Sequence, residues 1–249
     1  MSDQIEELAN LIKNSNRTII LTGAGISTDS GLPDFRSDNG FWKSNKPIYF
    51  NDFIKNEQSR ILSWKRNIEL NNLLEKINPN DGHRFVSKLL DLNEDNFLIT
   101  QNIDGLHQRS GVPRDKIIEI HGNATEARCL NCGEKANILD FHAAIKTNNP
   151  LPKCSNCDGI VKVATISFGQ PMNENDMLQA SNISSQCDLM IVMGSSLSVM
   201  PAGQIPNLAI KSGAKIVILN REETIYDAMA NIVINDELKT ICGELIKLI

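Results

Sequence analysis

Thr18-Ile-Ile-Leu-Thr-Gly-Ala-Gly-Ile-Ser27 passes from an uninterrupted apolar run directly into a turn of glycine and small residues. β-Branched residues without polar alternation mark a strand buried on both faces, the kind found in parallel sheets covered by helices. The same transition recurs along the chain. Phe97-Leu-Ile99 opens into Thr100-Gln-Asn-Ile-Asp104, Leu189-Met-Ile-Val-Met193 into Gly194-Ser-Ser196, and Ile216-Val-Ile-Leu219 into Asn220-Arg-Glu222. Intervening segments such as Glu6 to Lys13 and Gly203 to Ser212 read as helices. The pattern predicts an α/β chain with an open, doubly wound parallel sheet. Ligands of such sheets bind beyond the carboxyl ends of the strands, so the polar clusters are expected to face one site.

Two stretches break this rhythm. Ser37 to Asn80 is polar, carries Phe41, Trp42, Tyr49, Phe50, Phe53 and Trp64, and lacks a buried-strand signature. Asn123 to Gly159 holds two knuckles, Cys129-Leu-Asn-Cys132 and Cys154-Ser-Asn-Cys157, separated by 21 residues. The expected organisation is a single unit over 1–249. A large lobe takes residues 1–36, 81–122 and 160–249, and a small lobe takes 37–80 and 123–159. Paired C-x-x-C knuckles can close a tetrahedral thiolate cage on Zn²⁺, with Cys129, Cys132, Cys154 and Cys157 as ligands. A C-x-x-C can also be a redox pair or half of a disulfide, but two knuckles together favour the metal. Four protein ligands leave no position for a water, so the zinc is expected to be structural. Cys187 and Cys242, in apolar contexts, read as small buried hydrophobes.

The chain of 249 residues is 41% hydrophobic and 22% charged, enough to bury a sizeable core. Its net charge of −5 and the absence of a lysine or arginine block argue against nucleic acid as a partner. The start of the chain is acidic and helix-like, without a secretory pattern, and no apolar run reaches membrane-spanning length. With thiols expected to be reduced, the expectation is a cytoplasmic protein without membrane contact.

Gly23-Ala-Gly25, after a strand and before an expected helix, suits a pyrophosphate held on backbone amides. A G-x-G-x-x-G dehydrogenase pattern would need glycine where Thr28 stands, which disfavours simple hydride transfer, and a plain tight turn remains open. His121 follows the apolar Ile117-Ile-Glu-Ile120 and so falls at a strand end. Its imidazole titrates near neutral pH and suits a general base, while a satisfied buried histidine is the bland alternative.

Together these motifs resemble the sirtuin family of NAD-dependent protein-lysine deacylases. The resemblance rests on Gly23-Ala-Gly-Ile-Ser-Thr-Asp-Ser-Gly-Leu-Pro-Asp-Phe-Arg36, on Thr100 to His107, and on His121-Gly122. It rests also on the paired knuckles, Phe168-Gly169, Gly194-Ser-Ser196 and Asn220, and it covers nearly the whole chain. It implies NAD as co-substrate and structural Zn²⁺. It further implies that acyl-lysine becomes lysine while nicotinamide and O-acyl-ADP-ribose are released, with His121, Asn102 and Asp104 as catalytic residues. Gly23, Ala24, Gly25, Ser27, Asp34, Phe35, Arg36, Gln101, Ile103, Gly194, Ser195, Ser196, Asn220 and Arg221 would join Asn102 and Asp104 around the cofactor. An acylated-lysine peptide would dock as an added strand between Phe168-Gly169 and Ser198-Val199, its acyl chain near Ile103, Phe168 and Leu197. His107 would be structural, and His83 and His142 carry no implied role. A Tyr-x-x-Arg pair for acidic acyl chains is missing after Tyr49, since Asp52 stands at the arginine position, so a neutral acyl group is expected. The chain departs from the family pattern at Val163, Gln170 and Asn235-Asp-Glu237. Other readings of the same pocket are an NAD glycohydrolase, an ADP-ribosyltransferase, and a non-catalytic binding module. A monomer or weak oligomer is expected.

Overall fold

In the computed structural model, which describes residues 2–33 and 46–249, a six-stranded sheet organises the chain. Its strands are β1 (Thr18–Thr22), β2 (Phe97–Thr100), β3 (Ile117–Glu119), β7 (Leu189–Met193), β8 (Lys215–Leu219) and β9 (Ile232–Ile234). They lie in the order β3-β2-β1-β7-β8-β9, and every neighbouring pair is parallel. Between β3 and β7 the chain makes a second, antiparallel sheet of β4 (Gly122–Cys129), β5 (Lys135–Ala136) and β6 (Val161–Thr165), ordered β5-β4-β6.

The apolar runs have a simple cause in this sheet. Successive side chains of a strand point to opposite faces, and both faces are covered. Ile20, Leu98, Ile191, Met193, Val217 and Leu219 pack on one face against helices α1 (Ser2–Asn14), α4 (Asp81–Leu92) and α9 (Leu238–Leu248). Ile19, Leu21, Ile99, Met190, Val192, Ile216 and Ile218 pack on the other face against α7 (Glu174–Ser184) and α8 (Ile205–Lys211). The central strands β1 and β7 are therefore buried along their whole length, and the expected doubly wound α/β architecture is found.

Helices α2 (Phe50–Lys55) and α3 (Glu57–Leu74) precede α4, a short α5 (Leu106–Arg109) follows β2, and α6 (Ile138–Lys146) lies between the two cysteine knuckles. Trp64 of α3, Phe141 of α6 and Val161 and Val163 of β6 form a separate core with Cys129 and Cys154. Strand β6, which the sequence division put with the large lobe, thus pairs with β4 and packs in the smaller core. The physical reason is that its partners Cys129 and Ala127 lie on the far side of the knuckles, which bring the return strand back alongside. The helix expected after Gly25 is a 3₁₀ segment, Ala24–Ser30, ended by Gly31 in the left-handed region. Asp34, Phe35 and Arg36, with Phe41 and Trp42, lie outside the described residues. No helix among the described residues is long and apolar enough to cross a membrane.

Candidate active site

The carboxyl ends of the parallel strands are stitched together by backbone hydrogen bonds. Gly23 donates to Met193 (3.1 Å), Gln101 to Thr22 (2.9 Å), Ile120 to Thr100 (3.1 Å) and Gly194 to Leu219 (3.0 Å). Gly23 and Gly25 meet Gly194 closely: a Cβ on Gly194, whose φ is +60°, would sit 2.4 Å from the Ile26 nitrogen. These glycines therefore allow two strand-end loops to touch, a packing demand beside the phosphate approach and the tight turn that the sequence suggests for Gly23 and Gly25.

Ser27 stands at the centre of the polar cluster. Its hydroxyl donates to Asp104 Oδ2 at 2.7 Å and accepts from Asn102 Nδ2 at 3.3 Å, while His83 Nε2 lies 3.4 Å away. Asn102 also donates from Nδ2 to the Gly23 carbonyl at 3.1 Å, so the two loops are fixed to each other through side chains. Asp104 Oδ1 accepts from the Leu106 amide at 2.9 Å. Burial pushes the Asp104 carboxyl above the usual carboxylate range, and the hydrogen bonds from Leu106 and Ser27 oppose that rise. Gln101 reaches across the sheet to donate to Ser195 Oγ at 2.8 Å. The structure thus brings Gly23, Gly25, Ser27, Gln101, Asn102, Asp104 and Ser195 into one contiguous group.

His121 follows β3 and lies beside them. Its Nδ1 is 3.0 Å from the Gln101 carbonyl, which can only accept, so Nδ1 carries the proton and Nε2 presents a bare lone pair. Burial holds this imidazole below its ordinary range, opposed by that hydrogen bond. Gly122 permits the arrangement. Its φ is +75°, and a Cβ there would meet the Ala164 carbonyl oxygen at 1.8 Å. The turn that carries His121 can approach β6 only without a side chain, and the His121 carbonyl accepts from the Ile166 amide at 2.8 Å.

Farther along the edge, Ser196 and Ser198 share a hydroxyl hydrogen bond of 2.8 Å, and the Val199 carbonyl accepts from the Gly203 amide at 2.6 Å. Phe168 is partly exposed, packs on Tyr49 with ring centroids 6.1 Å apart, and its carbonyl accepts from the Phe50 amide at 2.9 Å. Gly169 is in the left-handed region next to it. Gln170 keeps this turn closed, accepting the Ser167 amide on Oε1 at 3.1 Å. Asn220, at the end of β8, donates to the Glu222 carbonyl and accepts from Asn235 Nδ2 at 3.0 Å, so the side chain at 235 ties two strand ends together. Arg221 pairs instead with Glu237 at 3.0 Å on the surface.

In the smaller sheet the four sulfurs of Cys129, Cys132, Cys154 and Cys157 lie within 4.8 Å of one another, with closest pairs at 3.5 and 3.6 Å. Thiolates held about 2.3 Å from one zinc at tetrahedral angles are about 3.8 Å apart, so the cage fits that ion. The Asn131 amide donates to Cys129 Sγ at 3.3 Å, as a knuckle backbone should. Cys187 and Cys242 are buried away from the cage, and burial pushes the Cys187 thiol up to about 11.

A model of the Sir2 family matches residues 23–201, from the first glycine turn to the segment that follows β7. The chain belongs to the Sir2 family. A protein named NAD-dependent protein deacetylase 1, from Bradyrhizobium diazoefficiens, is 42% identical over 239 residues, spanning 96% of this chain and 94% of its own. An NAD-dependent protein deacetylase from Rhodopseudomonas palustris is 40% identical over 243 residues, spanning 98% of this chain and 96% of its own. A solved Sir2–p53 peptide–NAD+ complex superposes with a TM-score of 0.85 at 33% identity, covering 98% of this chain and 97% of that one.

Sequence reasoning missed part of this Sir2 site. Asn80 caps α4, donates to the Ile26 carbonyl at 2.7 Å and to Ser30 at 3.0 Å, and so pins the 3₁₀ turn from behind. His83, three residues later, completes the capping box and turns its ring toward Ser27 and His107. The signal was present as an Asn followed at the N3 position by a hydrogen-bonding side chain, although that position usually holds Glu or Gln. His107 Nε2 reaches the Thr22 hydroxyl at 3.0 Å from a fully buried position, consistent with a structural role.

Proposed function

We propose that this Sir2-family chain is an NAD-dependent protein-lysine deacylase whose substrate carries a neutral acyl group, acetyl above all. The observation that carries the reading is His121 with a bare Nε2 beside the Gln101–Asn102–Asp104 loop, at the carboxyl edge of a parallel sheet. Asp52 at the position where an acidic acyl chain would want a cation supports the neutral substrate.

NAD+ supplies an electrophilic ribose carbon with nicotinamide as leaving group, and the acyl oxygen of the substrate lysine is its nucleophile. Asn102 and Asp104 meet the nicotinamide carboxamide and Gln101 meets the adjoining ribose. The glycine turn, Ser195 and Ser196 carry the diphosphate, and Asn220 and Arg221 border the adenosine. The half-buried His121 Nε2 takes the ribose hydroxyl proton, for which a neutral imidazole is required. Burial favours that neutral form. Asp34, Phe35 and Arg36 complete the cofactor set as the family pattern implies. The acylated-lysine peptide adds as a strand between Phe168-Gly169 and Ser198-Val199. The NAD-binding lobe and the zinc-bearing lobe are the two walls of this cleft. The protein acts as a cytoplasmic monomer or weak oligomer without nucleic acid.

The test is to incubate the protein with NAD+ and an acetyl-lysine peptide and follow the products by mass spectrometry. Nicotinamide, deacetylated peptide and O-acetyl-ADP-ribose should appear in equal amounts, and His121→Ala should make none. Nicotinamide released without dependence on peptide would overturn the reading.

A further inference from the structure

Asn67 and Asn71 of α3 both donate side-chain amides to one buried carbonyl, that of Ala124 in β4, at 2.8 and 3.2 Å. The N–H of the same Ala124 donates at 2.8 Å to the carbonyl of Ile103, the residue between Asn102 and Asp104. On its other side Asn67 accepts on Oδ1 from His142 Nε2 at 2.8 Å. Because Asn67 Nδ2 faces a carbonyl, the orientation of its amide is determined, and His142 Nε2 must be the protonated nitrogen.

His142 lies on α6, in the segment tied down at both ends by Cys132 and Cys154. The same helix docks on α3 by stacking Phe141 on Trp64, with ring centroids 4.4 Å apart. A file of contacts therefore runs from the cysteine module through His142 and Asn67 to the backbone of Ala124, and from the N–H of that residue to Ile103. Asn67 and His142 are both buried, so water is a poor substitute for either partner. The N–H and the C=O of Ala124 belong to the two peptide groups that flank its Cα, so the backbone is pinned on both sides of this residue.

We propose that Asn67 is a positioning residue which, held by His142 of the cysteine module, sets the Ile103 carbonyl and so the loop that receives the nicotinamide end of NAD+. This rests on the NAD-binding reading of the cleft. A residue of this kind should act on one half of the cofactor only. The diphosphate and adenosine contacts would lie in the loops that follow β1, β7 and β8, whereas the file ends on the loop that follows β2.

The experiment is calorimetric titration of the metal-loaded protein with NAD+ and, separately, with ADP-ribose, which lacks nicotinamide. Asn67→Asp and His142→Leu should bind NAD+ about tenfold more weakly, the order of loss expected for one unmade buried hydrogen bond. Their ADP-ribose affinity and zinc content should be unchanged. His142→Gln, which can still donate to Asn67, should restore NAD+ binding. Hydrogen exchange of the Ala124 amide should quicken in the two impaired variants and not in His142→Gln. If the variants bind both ligands as the wild type does, or lose both equally, the positioning role is overturned while NAD binding stands. If the wild type binds neither ligand, the functional reading fails and this inference with it.

Discussion

Gly122 shows how little a single residue can change without consequence. The Cβ of an alanine would overlap the Ala164 carbonyl in a backbone region that L residues avoid, so the His121 turn has to move away from β6. Gly122→Ala should lower kcat about a hundredfold, the loss expected for a catalytic group displaced by about 1 Å. A full-rate variant in a steady-state deacylation assay would show that this turn is not rigid. His121 itself predicts the acid side of the rate profile. Its neutral form is the active one, and burial places its titration below the ordinary imidazole value of about 6.5. Activity should therefore hold as pH falls to that value and be lost beneath it; an acid limb centred above pH 7 would contradict the assignment.

At the scale of elements, the cysteine module and α3 form one packed unit. Trp64 is fully buried against Phe141 in the core that also contains Cys129 and Cys154. Cys132 is exposed and Cys157 only half-buried at the margin of that core, so a bound metal would supply much of the stability of the knuckles. Chelation, or Cys154→Ser, should abolish stoichiometric zinc by atomic emission. In a Trp42→Phe background it should also shift the remaining Trp64 fluorescence to the red as its core opens. Cys187→Ala should leave both signals intact, because Cys187 lies under the main sheet at the end of α7. Lys162 adds a feature of β6 that no spacing announces. Its ammonium donates to the Val163 and Thr165 carbonyls where the β4–β6 register shifts, and burial draws it down to about 8. A buried lysine held by backbone carbonyls reads in sequence as an ordinary solvated charge.

For the whole molecule, the most exposed vulnerability is acid. His83 is buried and uncharged, and burial followed by the nearby Arg84 charge draws it down to about 3. Between the ordinary value of about 6.5 and that figure the unfolded chain binds a proton that the folded chain does not, so stability falls as pH falls through this window. In chemical denaturation His83→Gln should flatten that decline by about 1.4 kcal/mol per pH unit. Equal slopes for wild type and variant would mean that the buried histidine takes up its proton without unfolding. The sheet was legible in the sequence because a strand covered on both faces has to be apolar through its middle, and Ile19–Leu21 and Leu189–Met193 are. The cage was legible because two knuckles at that spacing fit one tetrahedral ion, and the polar loop Gln101–Asp104 because its residues lie consecutively after an apolar run. Strand β9 was not read: Ile232–Ile234 is too short for its apolar character to stand out. Nor could the sequence reveal that Asn80 and His83 back the Ser27 turn, or that Asn67 joins His142 to Ala124. Those contacts bridge 54, 56, 75 and 57 residues of chain. The sequence by itself determined the parallel sheet, the four-cysteine cage and the polar clusters at the strand ends, since burial period and ligand spacing are local properties. Tertiary structure alone decided which polar side chains support that chemistry, because a buried amide or imidazole takes its meaning from the partner that folding brings to it.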